Sequence, residues 1–197
     1  MKPASAILRS LAAKDGEQVT MDDVLEETGR RAHGFGLLLF ALPQAVPLPL
    51  GGISVFLAIP LLLLSAHLIV FGAGSGIPER SRQYGIRATW VRQMVRYAAP
   101  ILAKLEYLSR PRLEALADRS RLLGLVCLLL AIVIFLPIPF GNLVPGVCII
   151  LIAFGMVERD GLIIGLGFVA TAALFIGLYF VADWLTDVMI NMFRDYF

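Results

Sequence analysis

Charge is scarce in this chain and absent from long parts of it. Only 16% of its 197 residues are Asp, Glu, Lys or Arg, and none of these falls between Ala32 and Pro78, between Leu122 and Val157, or between Gly161 and Ala182. About 20 apolar residues suffice to cross the hydrocarbon core of a membrane, so ordinary soluble folding is not expected of these stretches. Cysteine is nearly absent. Cys127 and Cys148 sit in apolar runs without metal-ligand spacing and are expected as small buried apolar residues. Histidine is limited to His33 and His67, which leaves no Ser-His-Asp order for hydrolysis. With no third ligand at a convincing spacing, no metal and no cofactor are expected.

What is present is apolar surface. Hydrophobic residues make up 58% of the chain and the mean hydropathy is +0.82, which together point to one membrane-embedded domain. The net charge of +2 conceals an asymmetry, because ten of the seventeen basic residues lie between Arg80 and Arg121 and five more at or before Arg31. By the positive-inside rule, the N-terminus and the middle of the chain are both cytoplasmic. No separate soluble domain surrounds the arginines, so nucleic acid is not an expected partner.

Residues 1–31 lack the long apolar region of a signal peptide and are expected as a cytoplasmic segment carrying a short helix. Thr20 followed by Asp23 forms an N-terminal cap, and Gly29 is the stop. The acidic cluster Asp22, Asp23, Glu26 and Glu27 would bind cations, face solvent, or pair with the arginines of the central segment.

The membrane domain is expected over 32–184, as a first hairpin at about 32–77, a linker at 78–121, a second hairpin at about 122–157 and a last transmembrane helix at 161–184. A tail, 185–197, follows. In the first hairpin Pro47, Pro49 and Gly51 form a helix-breaking knot, since two prolines one residue apart cannot continue a helix. Gly34 to Val46, before the knot, rises only ~20 Å as a helix and is too short to span; Ile53 to Phe71 is long enough. With basic residues on both flanks, the hairpin is expected to be partly re-entrant, its tip met by protein or by a watery cavity. Pro43 and Pro60 add a kink or break in each arm. The knot returns as Pro137, Pro139 and Gly141. Shifted by ninety, the region from Arg31 to Ser65 matches that from Arg121 to Gly155 at ten of 35 positions, among them Gly34 with Gly124, which argues for an internal repeat, parallel in topology if both copies start on the cytoplasmic side and inverted if they do not.

In the linker, Ile86 to Leu108 is an amphipathic helix, kinked or divided at Pro100. Trp90, Val91, Met94, Val95, Tyr97, Ile101, Leu102, Leu105 and Leu108 share one face, opposite Arg92, Arg96 and Lys104. With Arg87, such a helix lies among anionic lipid headgroups. The fold class is therefore an all-α integral membrane protein: two repeated hairpins, a basic interfacial helix and one C-terminal spanning helix.

Several of these motifs resemble the bacterial ExoD family, associated with exopolysaccharide synthesis. They are Gly34-Phe35-Gly36-Leu37-Leu38-Leu39 leading to Leu42-Pro43, the Pro47 to Gly51 knot, the Pro60 to Leu64 run, Leu136 to Asn142, and Glu158-Arg159-Asp160-Gly161. The resemblance runs from about Arg30 to Trp184. It implies a multi-pass protein of the bacterial inner membrane tied to exopolysaccharide production, and it carries no catalytic mechanism. A glycosyltransferase would need a nucleotide-sugar site, and this chain has no soluble α/β domain, no paired carboxylates at a catalytic spacing and no Gly-rich phosphate loop, so no enzyme is expected.

Polar groups at membrane depth are the candidate site. Gln44 and Asn142 lie beside the knots and either satisfy carbonyls freed by Pro47, Pro49, Pro137 and Pro139 or, with Gly51 and Gly141, line an ion or solute site between the two tips. His33 and His67 lie near the ends of the first hairpin, as a proton relay or as interfacial residues with ordinary partners. Glu158, Arg159 and Asp160 either gate or dock a partner, or pair locally and cap the adjoining helices. The role would be moving an ion or small solute, with a homodimer expected; the alternative is a scaffold binding exopolysaccharide biosynthesis or export proteins.

Overall fold

The charge-free stretches fold as helices, because apolar side chains can leave water there only if backbone N–H and C=O groups pair within the segment. The computed structural model describes residues 3–14, 16–45, 53–73, 82–136 and 141–196. In chain order the elements are α1 (Ala4–Ala13), β1 (Gln18–Thr20), α2 (Met21–Thr28), a 3-10 turn (Gly29–Arg31), α3 (Ala32–Ala45), α4 (Ile53–Phe71), β2 (Gly85–Arg87), α5 (Ala88–Leu108), α6 (Glu114–Ala117), α7 (Ser120–Phe135), α8 (Leu143–Glu158) and α9 (Gly161–Tyr196). Pro47, Pro49, Gly51, Pro137 and Pro139 lie outside the described residues, as does most of the Gly72 to Pro78 exit.

The N-terminal region is set by local chemistry first. The Asp23 N–H donates to the Thr20 hydroxyl, while the Thr20 N–H donates to the Asp23 carboxylate at 2.7 Å, a reciprocal cap that starts α2. Gly29, at φ 54°, ends it. Two features are not local. β1 pairs antiparallel with β2, Val19 opposite Ile86, so the all-helical expectation gains one small two-stranded sheet. The apolar stripe of α1 (Ile7, Leu8, Leu11) is buried, and α1 packs along α5.

Four helices form the bundle. α3 is its centre, buried from Ala32 through Gln44. α3 packs against α4 and α8, while α4 packs against α7. The directions follow from close approaches. A Cβ built on Gly34 would lie 3.1 Å from Val157, and one on Gly146 would lie 3.0 Å from Gln44, so α3 and α8 are antiparallel. A Cβ on Gly124 would lie 2.7 Å from Leu68, and the Ala73 N–H donates to Ser120 Oγ at 3.2 Å, so α4 and α7 are antiparallel as well. With His33 against His67, α3 and α4 also oppose each other. α3 and α7 therefore run the same way, and both hairpins open at one end of the bundle.

The prolines inside the arms break nothing. α3 runs through Pro43, α4 through Pro60 and α5 through Pro100 as single helices, since one proline removes one backbone hydrogen bond while packing holds both flanks. Pro145 falls in the first turn of α8, where its missing N–H has no partner to lose.

The last helix is longer than expected. The tail anticipated at 185–197 is helical through Tyr196, because no glycine or proline after Gly177 ends α9. At 36 residues it is about 54 Å long. Its approaches of Gly167 to Ile152 and Gly155 to Ile164 place the start of α8 level with about residue 176, so the remainder passes beyond the bundle. Among the described residues, Gly161–Met192 is the stretch long and apolar enough to cross a membrane. The outer surface is apolar too. Leu122, Leu125, Leu129 and Ile132 form an exposed stripe on α7, and Leu162, Leu166 and Val169 one on α9, far more than a soluble monomer leaves in water.

Candidate functional site

The polar groups inside the bundle concentrate at its open end. His33 is the second residue of α3 and is 3% exposed. His67 faces it from α4 and is half-buried. His33 Nε2 and His67 Nδ1 are 3.0 Å apart, with the rings nearly parallel at 12° and their centroids 5.1 Å apart. Phe71, one turn on, closes the far side of His67 at 4.8 Å between centroids. One nitrogen of such a pair donates and the other accepts, so the tautomers are coupled: a proton arriving at the outer nitrogen of one ring can leave from the outer nitrogen of the other. The helices bring together the two residues that the sequence placed at this end.

A second polar group lies at the same end of the bundle. Glu158 ends α8 beside the start of α3, with Arg31 and Glu106 within electrostatic reach and the Ala4 N–H donating to it. Glu106, from α5, accepts from the Ser5 N–H at 2.5 Å and from Ser5 Oγ at 2.7 Å. Two carboxylates from different helices thus hold the first turn of α1, where unpaired N–H groups favour negative charge. Sequence reasoning missed both Ser5 and Glu106. It also missed Ser65 of α4, fully buried, whose hydroxyl makes no hydrogen bond among the described residues; the available signal was a lone hydroxyl in the apolar run before His67.

The other three parts of the Glu158-Arg159-Asp160-Gly161 turn are firmly placed. Arg159 takes the left-handed conformation at φ 55° and its guanidinium reaches Asp118 at 2.8 Å and Glu114 at 3.4 Å. Asp160 is 2% exposed. Its Oδ1 accepts from the Leu162 and Ile163 N–H groups at 2.9 and 3.4 Å, capping α9, and its Oδ2 accepts from the Arg110 N–H at 2.9 Å and Ser109 Oγ at 3.3 Å. Burial works to raise the pKa of this carboxyl, but the four donors outweigh it and hold it below the ordinary carboxylate range. Gly161 leaves no room for a side chain, since a Cβ there would meet the Leu113 carbonyl oxygen at 2.5 Å.

At the far end, Gln44 is 3% exposed and Gly146 of α8 packs against it. Asn142 precedes α8, accepts from the Gly146 N–H through its carbonyl at 3.0 Å, and leaves its side-chain oxygen unpartnered among the described residues. Gln44 and Asn142 are therefore brought to neighbouring turns, with Gly141 beside Asn142. Elsewhere, Asp23 and Glu26 of the acidic cluster pair with Lys14, and Asp22 lies 3.9 Å from Arg82 of the central segment. Arg87, Arg92 and Arg96 are exposed on or beside α5, with Trp90 half-buried among them.

A helical bundle with an apolar exterior and one helix of spanning length defines a membrane-associated protein. The chain belongs to the ExoD family: the family model described as "Exopolysaccharide synthesis, ExoD" matches residues 4–180. It is 29% identical over 162 residues to Protein ExoD of Rhizobium meliloti (strain 1021), covering 78% of this chain and 66% of that protein. It is also 29% identical over 154 residues to an uncharacterized protein of Synechocystis sp., covering 76% of this chain and 72% of that one. The chain thus spans just under two thirds of the Rhizobium protein's length. No solved structure matches it.

Proposed function

We propose that this chain serves exopolysaccharide synthesis as a multi-pass membrane carrier of protons or of a small solute coupled to them. The observation that carries the reading is the hydrogen bond at 3.0 Å between the buried His33 and the half-buried His67. An ionisable pair among apolar helices is expensive to keep and is by default a candidate functional site, for which transfer of a proton is the chemistry two hydrogen-bonded imidazoles offer. In this reading the bundle is an internal duplication. Gly34 and Gly124, equivalent in the repeat, each seat the first arm of one hairpin against the second arm of the other. Both hairpins enter from the cytoplasmic side, partly re-entrant, and α9 crosses. A solute would pass between the histidines at one end and Gln44 and Asn142 at the other. So few helices enclose little space in one copy, and a homodimer is the expected working form.

A second reading, a scaffold for biosynthesis or export proteins, is favoured by one feature. α9 beyond residue 176 is exposed on almost every side, with Tyr179, Phe180 and Trp184 each more than 60% exposed.

The test in cells is complementation of a strain lacking this chain. His33→Gln and His67→Gln, present in the membrane at wild-type level, should fail to restore polymer output. Full restoration by both variants would remove the histidines from the function.

A further inference from the structure

The linker helix α5 has two apolar faces rather than one, and beyond the half-buried Trp90 only one of them is covered inside the molecule. Val91, Ala98, Ala99 and Leu102 are buried where α1 lies along the helix. The second face, turned about a quarter of the circumference away, carries Trp90, Tyr97, Ile101 and Leu108. Trp90 is half-buried, while the other three are 62%, 60% and 69% exposed. Five helical turns separate its first residue from its last, a stripe of about 27 Å.

Charge is sorted between these faces. The one acid of α5, Glu106, is turned inward onto the first turn of α1. The outward side is left with cations alone. Arg87 and Lys104 flank the exposed stripe on opposite edges, and Arg96 and Arg92 follow beyond Lys104. All four are exposed, and among the described residues none pairs with a carboxylate.

We infer that this second face of α5 is a docking surface for the anionic lipid leaflet at the end of the bundle where both hairpins open. An aromatic and aliphatic stripe buries itself at the boundary between headgroups and acyl chains, and each basic residue near an anionic surface adds attraction. An acidic protein would satisfy the arginines equally, but a long exposed stripe bearing Trp and Tyr matches the interface of a bilayer. α1 then acts as the other slice of a sandwich, covering the inner face so that the outer one alone meets lipid.

The chain has two tryptophans, Trp90 and Trp184, so Trp184→Phe leaves Trp90 as the sole reporter. The full-length W184F chain would be placed in nanodiscs of phosphatidylcholine, with or without one third phosphatidylglycerol, containing lipids brominated just below the headgroup. Trp90 should be quenched by the bromines, more strongly with phosphatidylglycerol. Substituting Arg87, Arg96 and Lys104 together by Gln should cancel the difference between the two compositions. Trp90 untouched by brominated lipid, or quenched equally by aqueous iodide in both compositions, would overturn the inference. So would protection of Trp90 arising only when an acidic protein is added. Because the decisive reading comes from the chain with all its cations, misfolding of the triple variant does not blur it.

Discussion

Gly124 lies so close to Leu68 that the first carbon of any side chain there would come within 2.7 Å of the leucine Cβ, and within 2.9 Å of the Ser65 carbonyl oxygen. The second contact is backbone and cannot swing aside. Gly124→Ala should therefore force α7 off α4 and cost about 1–3 kcal/mol, read as a lower melting temperature in detergent. Gly165→Ala, with nothing within 4 Å of its Cβ, should leave the melt unchanged or raise it. Equal melting of the two variants would show that the α4–α7 contact is looser than described.

Asp160 ties the start of α9 to the chain leaving α5. Asp160→Asn puts an amide donor where the Arg110 N–H or the Leu162 N–H now donates, and should cost about 2 kcal/mol, some 4–8 °C of melting temperature. The pH dependence has a fixed sign. The folded-state pKa is lowered from the ordinary value of 3.8, so the contribution is complete above that value and is lost as pH falls through the lower folded one. Acid should narrow the gap between wild type and Asp160→Asn. A gap that widens in acid would contradict the assignment.

Thr20 offers a smaller test. Thr20→Ala removes the hydroxyl that accepts from the Asp23 N–H, at a cost of about 1 kcal/mol to α2. Amide exchange in the full chain should speed up at Asp23 and Val24 while the amides of α3 stay protected. Unchanged exchange in α2 would mean that the cap contributes nothing to its stability.

How much of this was readable from residues alone follows the range of each interaction. The cap at Thr20 and the stop at Gly29 are decided within a few neighbours, so they were legible. The hairpin arms were legible because charge is missing from them, and the meeting of His33 and His67 because a hairpin returns its chain to its own starting end. The pairing of Val19 with Ile86 was not, nor was the hold of Glu106 on Ser5 across 101 positions, since neither has a local signature. The split of α5 into two apolar faces was also hidden. Periodicity shows that a stripe is apolar but not which half of it a distant helix covers. The length of α9 was misjudged because Asp183 and Asp187 mark the end of apolar composition, and composition can change without a helix ending.

The end of α9 should be dispensable for the bundle. Residues 188–196 lie beyond α8, and the described side chains there are exposed apart from the partly buried Val188. A chain stopped after Asp187 should melt within about 2 °C of wild type. A large loss of stability would show that α9 folds back on the bundle. If the scaffold reading is right, replacing the exposed Tyr179, Phe180 and Trp184 together by Ser removes a partner from pull-downs without touching stability.

In the function proposed for this chain, a proton or a proton-coupled solute moves through the site marked by His33 and His67. Purified protein in liposomes carrying an interior pH dye, under an imposed potential and a panel of ions, measures it directly. Wild-type and Gly165→Ala protein should acidify or alkalinise the lumen, and His33→Gln and His67→Gln should slow that change by about tenfold or more. Liposomes of wild-type protein that stay silent across the panel, or histidine variants that match its rate, would contradict the account.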